Sequence, residues 1–417
     1  MKKSLKIYFA FIVFLFIFLW HPLSPGAKTT GGSKNISANG NEVRIALALP
    51  TRGRYAFFGK QFINGLLLSI DKRRGSKIKY IIINLPVHAG GKTIGYMFGS
   101  LSKKKISAVI GPIFEGQLKY FSSYSLKYKI PVITPSPVVP QKDFSPFFFS
   151  YGMTLKQEIK AEMKYAGYAG INKVSAIYPD SGYGLKILSF ISLFAKKYGI
   201  NVISTTAYSG RTVDFFDNFD SLVKFKGIGN TFVSQAEKSQ LGITKYDLMH
   251  GITGLRPEIP FDGLFVIGSP SKLELILTQL AYYNITGFPI LGLSSLDSRS
   301  FIEKYGFYMQ NAIFPNGFFK HDDNKIVKKF SSSYKKNYGK MPNILSAEGY
   351  DIGGILIKAA ENMNNNKGET KFYKAILSVK SYKGVCGISK LTGKRFKKPL
   401  YLFKYKNHKI YILRSPF

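Results

Sequence analysis

The stretch with the most apparent chemistry is IIINLPVHAGGKTIGYMFGSL, Ile81 to Leu101, where an apolar run leads through a turn to Gly91-Lys92-Thr93 and an amphipathic segment. That order suits a loop that cradles phosphate with backbone N–H groups. Such a loop needs a glycine at its first turn so that several N–H groups can point inward. The residue there is Pro86, which fixes φ and removes a donor. A later strand should also end in a magnesium-holding Asp, yet SAVIGP ends in Gly111 and Pro112. The stretch therefore reads as a strand, a surface turn and a helix starting near Gly91, with Lys92 in solvent.

Other catalytic patterns are equally thin. His21, His88, His250, His321 and His408 are scattered, the single Cys386 cannot form an intrachain disulfide, and no metal-ligand spacing appears. There is no G-x-S-x-G elbow, and Glu115 and Asp180 read as turn carboxylates. Neither catalysis nor a cofactor is expected. The N-terminus explains why ATP would be scarce in any case. MKKSLK supplies a basic segment and IYFAFIVFLFIFLW an apolar run of 14 residues, shorter than the roughly 20 a membrane helix needs. Residues 1–27 are expected to serve as a secretory signal or, uncleaved, as an N-terminal anchor, leaving the rest to work outside the cytoplasm in the periplasm or its equivalent.

Of the 417 residues, 45% are hydrophobic and 15% aromatic, enough for a packed core in two domains. The formal net charge is +37. Attraction to anionic polymers, lipid or nucleic acid is one reading of that charge. Lysine outnumbers arginine and is spread through every segment, which fits solvated positions filled by lysine, and no nucleic-acid partner is expected.

These residues ride on alternating strands and helices, the pattern of a mainly parallel sheet covered on both faces. VRIALALP, KIKYIIIN, SAVIGP and PVITP read as the first four strands, with a helix from about Gly59 to Arg73 burying Phe62, Ile63, Leu66, Leu67 and Ile70. A second series follows. It comprises a helix from about Leu155 to Gly167, KVSAIYP, a helix through GLKILSFISLFAKKYG, NVISTTAY, a helix from near Thr212 to Lys226, FDGLFVIG, a helix with Ser269 as N-cap and Pro270 at N1, and FPILGL. The stretch Gly227 to Pro260 is polar and weakly periodic. Two helices precede PLYLFKYKNHKIYIL, a hairpin turning at Asn407 and His408 and added to an existing sheet.

The succession RIALALPTRGRYAFFGKQFINGLLLSID, ISAVIGP, KIPVITPSP, VSAIYPDSGYG, AEGYDIGGILIKA and GVCGISKLTGKRFKKPLYLFKY resembles the type I periplasmic binding proteins, the leucine/isoleucine/valine-binding family of ABC importers. The resemblance covers nearly the whole chain after the leader. It implies an α/β fold of two lobes joined by three crossing strands, with residues 42–152 plus 317–379 in lobe 1 and 153–316 plus 380–417 in lobe 2. The ligand would close the cleft at the carboxyl ends of the strands.

By that resemblance, the expected contacts from lobe 1 are Thr51, Tyr55, Phe58, Phe114, Glu115, Gly116, Thr134 and Ser136. Those from lobe 2 are Tyr183, Ser269, Ser294, Ser295 and Asp297. Each has a plainer role: the Ser and Thr residues can cap helices, Tyr183 can pack a turn, and Phe58 can be core. The chain departs from amino-acid-binding members after Gly111-Pro112, where small hydroxyl residues usually hold a carboxylate and IFEGQ stands instead. Phe114 and Glu115 would crowd and repel a carboxylate, and only Asp297 offers an acid for an amino group. The leading expectation is a protein that captures a small solute, an amino acid or a related one, and presents it to a membrane permease. The alternative is a regulator like the penicillin-binding protein activators, which share the fold and stimulate peptidoglycan synthases by contact; FDGLFVIGSPSKLELILTQLAYYNITGFPILGLSSLDS resembles that branch.

Overall fold

The computed structural model describes residues 42–72, 78–226, 256–365 and 372–416; the signal or anchor expected at 1–27 lies outside them, as does most of the polar stretch from Gly227 to Pro260. Along the chain come β1 (Val43–Leu49), α1 (Ala56–Lys72), β2 (Ile78–Asn84), α2 (Gly91–Lys103), β3 (Ala108–Ile110), α3 (Leu118–Tyr128), β4 (Val132–Thr134) and β5 (Phe148–Ser150). The second series is α4 (Leu155–Tyr168), β6 (Lys173–Pro179), α5 (Gly182–Tyr198), β7 (Asn201–Tyr208), α6 (Phe216–Asp220), β8 (Lys224–Lys226), β9 (Arg256–Glu258), β10 (Gly263–Val266), α7 (Pro270–Tyr282), β11 (Ile290–Leu291), α8 (Arg299–Tyr305) and β12 (Ile313–Asn316). Last are α9 (Lys325–Tyr338), α10 (Ile344–Asn365), α11 (Phe372–Ser378), β13 (Ser381–Gly384), β14 (Gly387–Thr392), β15 (Arg395–Lys397), β16 (Tyr401–Lys406) and β17 (Lys409–Arg414).

The strands form two large sheets, ordered β13-β14-β15-β5-β4-β3-β1-β2 and β17-β16-β12-β11-β10-β6-β7, with β8 and β9 as a separate ribbon. The strands from β1 to β5 and from β6 to β12 within these sheets pair in parallel, and antiparallel hairpins extend one edge of each. Alternation in β1 explains the layering. Ile45, Leu47 and Leu49 pack with α1 and α10, whereas Ala46 and Ala48 face Phe98 of α2 and Phe121 of α3. Helices α1 and α10 approach closely because Gly65 and Gly349 carry no side chain: a Cβ there would lie 1.8 Å from the Ser346 carbonyl and 2.1 Å from the Phe62 carbonyl. In the second sheet Ile159 and Met163 of α4 and Ile187 and Ile191 of α5 cover one face, and α6, α7 and α8 cover the other.

The chain changes sheets three times. It leaves β5 for α4, leaves β12 for α9, and leaves β15 for β16; α9 packs Val327, Phe330 and Tyr334 against Leu68 of α1 and Ala347 of α10. β15 runs parallel to β5, so the chain leaves the first sheet twice from one edge, and β16 runs antiparallel to β12, so it enters the second sheet at the edge where it had left it; the three crossings join these two edges.

Two expectations need correction. Residues 380–417 do not all join the second sheet, because β13, β14 and β15 extend the first one, with Arg395 of β15 opposite Ser150 of β5. Asp351 of α10 fixes their turn by accepting the Val385 and Cys386 N–H groups at 2.8 and 2.9 Å. Strand alternation carries no record of such an anchor. The long helix expected from Thr212 to Lys226 is only α6 followed by β8, and Gln279 accepts the Phe215 N–H at 2.8 Å just ahead of α6.

Candidate functional site

On the first sheet, the turn after β1 is held from below by Asn84 at the end of β2. Its Oδ1 accepts from Thr51 N, Arg52 N and Thr51 Oγ1 at 2.9, 3.1 and 3.2 Å. The Thr51 hydroxyl is thus engaged in shaping the turn, which delivers Tyr55 and Phe58 to the start of α1. The neighbouring β3 exit needs Gly111, at φ +132°, since a Cβ there would lie 2.4 Å from the Ala48 carbonyl. This close approach brings Phe114 to the same place.

The three rings form a cluster. Phe114 lies 5.4 Å edge-on from Tyr55 and 5.9 Å from Phe58, and Tyr55 lies 6.4 Å from Phe58. Such edge-to-face arrangements suit the ring quadrupoles. The cluster is not sealed: Phe58 remains 38% exposed, and the adjoining Phe57 is exposed as well. Glu115 and Gly116 are exposed at the start of a single 3-10 turn, which Gln117 ties down by donating to the Pro86 carbonyl at 2.8 Å. Thr134 is fully buried; its hydroxyl donates to the Pro112 carbonyl at 2.6 Å and accepts from Ser136 N at 3.0 Å, joining the turns after β3 and β4. The Ser136 hydroxyl is buried without a hydrogen-bond partner.

On the second sheet, Tyr183 stands in the first turn of α5 and is 49% exposed. Ser181 caps that turn by accepting the Gly184 N–H at 3.2 Å, and Gly184 lets the helix lie against the Pro179 carbonyl. Partial burial and the nearby Glu158 carboxylate push the Tyr183 phenol up to about 12. Glu158 and Glu162, one turn apart on α4, are not among the expected contacts. Glu158 Oε2 accepts from Ser294 N at 2.8 Å and Glu162 Oε1 from Gly292 N at 3.0 Å, so the pair holds the turn after β11. Burial raises Glu158 to about 7 and Glu162 well above the ordinary range, the latter also repelled by Glu158, and Glu162 Oε2 has no partner. The signal was present in LKQEIKAEMKYAGY: two acids four residues apart, interleaved with the buried Ile159, Met163 and Ala166.

The remaining expected residues separate. Ser294 and Ser295 are half-buried on this turn. Ser269 precedes α7 without capping it, its exposed hydroxyl bonded to Ser271 at 3.1 Å. Asp297 accepts from Asn316 Nδ2 at 2.5 Å and is raised by burial to about 6. It lines a cavity of about 520 Å³ with Asn316, Lys320, His321, Asn343 and Tyr405, a lining that contains none of the other expected contacts. The structure therefore gathers Tyr55, Phe58 and Phe114 in one group, Thr134 with Ser136 in a second, and Tyr183 with Ser294 around Glu158 in a third, with Asp297 apart. Among the described residues no group of His, Cys, Asp or Glu side chains could hold a metal ion.

Solved structures share this architecture. A putative branched-chain amino acid ABC transporter from Rhodospirillum rubrum superposes with a TM-score of 0.70 at 17% identity, over 89% of this chain and 100% of that one. A leucine-binding protein from Thermotoga maritima gives 0.62 at 20% identity over 89% and 98%. A solute-binding protein of an R. palustris ABC transporter, in complex with benzoate, gives 0.63 at 17% over 90% and 96%. No curated protein matches the chain in sequence. The sequence pattern of periplasmic binding proteins matches residues 42–409, and the chain belongs to that family.

Proposed function

We propose that this protein is an extracytoplasmic solute-binding protein whose lobes close on a small molecule with a flat apolar body, which it then presents to a membrane permease. The lobes are 42–152 with 317–397 and 153–316 with 398–416, following the sheet membership above. The observation that carries the reading is the half-open cluster of Tyr55, Phe58 and Phe114 at the crossing edge of the first sheet. Exposed aromatic rings beside a cleft are costly in water and gain most from an apolar ligand face. A relative in complex with benzoate supports the flat apolar body of that ligand class.

Charge refines it. Glu115, exposed beside the rings, disfavours a ligand carboxylate there and favours a neutral or cationic polar end. Tyr183, half exposed at the start of α5, is the polar contact. The chain from Lys28 onward keeps every described element, and thermal unfolding against aromatic amines, aromatic and branched amino acids, and benzoates tests the reading. Ligand at a hundred times Kd adds about 2.7 kcal/mol. The reading expects stabilisation by an aromatic or branched compound, weakened roughly tenfold or more by Phe114→Ala. No stabilisation by any compound in the panel, or full affinity in Phe114→Ala, would refute it.

A further inference from the structure

A second cavity, about 560 Å³, opens between the loop Val139–Pro146 and the turn joining β14 to β15. Its lining includes Lys142, Lys394, Arg395 and Lys397, and no Asp or Glu. It shares no residue with the aromatic cluster.

Arg395 is the unusual member. It is only 6% exposed, yet no described carboxylate pairs with it. One terminal nitrogen donates to the Gly152 carbonyl at 3.2 Å, to Thr154 Oγ1 at 3.3 Å and to Gln157 Oε1, all neutral acceptors. Its Nε is buried with no partner. A guanidinium out of water without a counter-ion is strongly unfavourable, and a free N–H on it adds to the cost. Around it Lys394 donates to the Pro146 carbonyl, while Lys142 and Lys397 are exposed at the mouth.

We propose that this cavity binds a phosphate-bearing anion, with Arg395 as buried anchor and Lys142 and Lys397 as its outer contacts. A phosphoryl group offers several acceptor oxygens at once to a guanidinium and two ammonium groups, and the volume exceeds what a halide needs. The same chemistry arrives either as a free phosphate monoester or as the headgroup of an anionic lipid. Because Arg395 also ties β15 to Gly152 and Thr154 on the first crossing, the occupied site bears on the connection between the sheets as well as on its own pocket.

The test uses the chain from Lys28. Calorimetric titrations with inorganic phosphate and glycerol 3-phosphate run at fixed ionic strength, with chloride as the balancing salt. Co-flotation compares phosphatidylglycerol vesicles with phosphatidylcholine vesicles. Saturable binding in solution identifies the free monoester, and flotation with phosphatidylglycerol alone identifies the headgroup. In either case Arg395→Gln and the double variant Lys142→Gln/Lys397→Gln should each weaken binding about tenfold or more. The two lysines are exposed, so the double variant keeps the fold even if Arg395→Gln does not; circular dichroism verifies each. No binding to either phosphate compound together with no flotation specific to phosphatidylglycerol, or wild-type affinity in either folded variant, overturns the proposal.

Discussion

Replacing Glu158 and Glu162 by glutamine should change how stability depends on pH, and the sign follows from their burial. A carboxyl whose folded-state pKa is raised holds its proton better folded than unfolded. The native state then binds more protons through the window between the two values, and stability falls as pH rises across it. For Glu158 the window runs from an ordinary 4.5 to about 7, and for Glu162 it extends higher. At about 1.4 kcal/mol per pH unit, Glu158 alone accounts for on the order of 3 kcal/mol lost between those limits. Glutamine cannot ionise, and its Oε1 can still accept from Ser294 N or Gly292 N. The stability of Glu158→Gln/Glu162→Gln relative to wild type should therefore climb from pH 4.5 to pH 8, whatever its value at the acid end. Urea unfolding followed by circular dichroism reads this directly, the midpoints diverging by about 1 M or more. Parallel pH profiles for the two proteins would show that the pair does not titrate in this window, and the argument from burial would fail.

Three further outcomes are expected. The ion pair of Lys398 with Glu348 is buried on both sides; Glu348→Gln should cost about 3–5 kcal/mol while the double replacement of both residues by Met costs far less, as a double-mutant cycle would reveal. Gly111→Ala meets both an unfavourable φ and the Ala48 carbonyl; it should lose about 3 kcal/mol or more, measured by chemical denaturation. Asn84→Ala frees the exposed turn donors of Thr51 and Arg52, costing only about 1 kcal/mol. Its larger effect should be on ligand affinity, because that turn aims Tyr55.

Much of the fold was legible because it is written in local patterns. The 3.6-residue spacing of Phe62, Ile63, Leu66 and Ile70 announces α1, and Asn407-His408 announces a hairpin whose two turn residues adopt φ of 50° and 60°. Sheet membership of β13 to β15 was not, since it depends on Asp351, 34 residues before Val385. In the site, Thr51 and Thr134 stand at strand ends where ligand contacts are expected, yet their hydroxyls tie turns together. The same residue type at the same place serves either purpose, and only the partner tells them apart. Glu158 and Glu162 can be read as acids on the apolar face of α4, but their partners Ser294 and Gly292 stand far along the chain and leave no local mark.

The three crossings between the sheets have a mechanical consequence. Segments that run side by side behave as a leaf spring: they bend easily about one line and resist twisting about any other. Arg395, on β15 just before the third crossing, holds Gly152 and Thr154 at the first and so stitches two of the leaves together. For lobes that close as proposed above, opening and shutting would then collapse onto a single angular coordinate. A receiving protein at the membrane could tell a loaded molecule from an empty one by measuring that one angle, without touching the cargo at all.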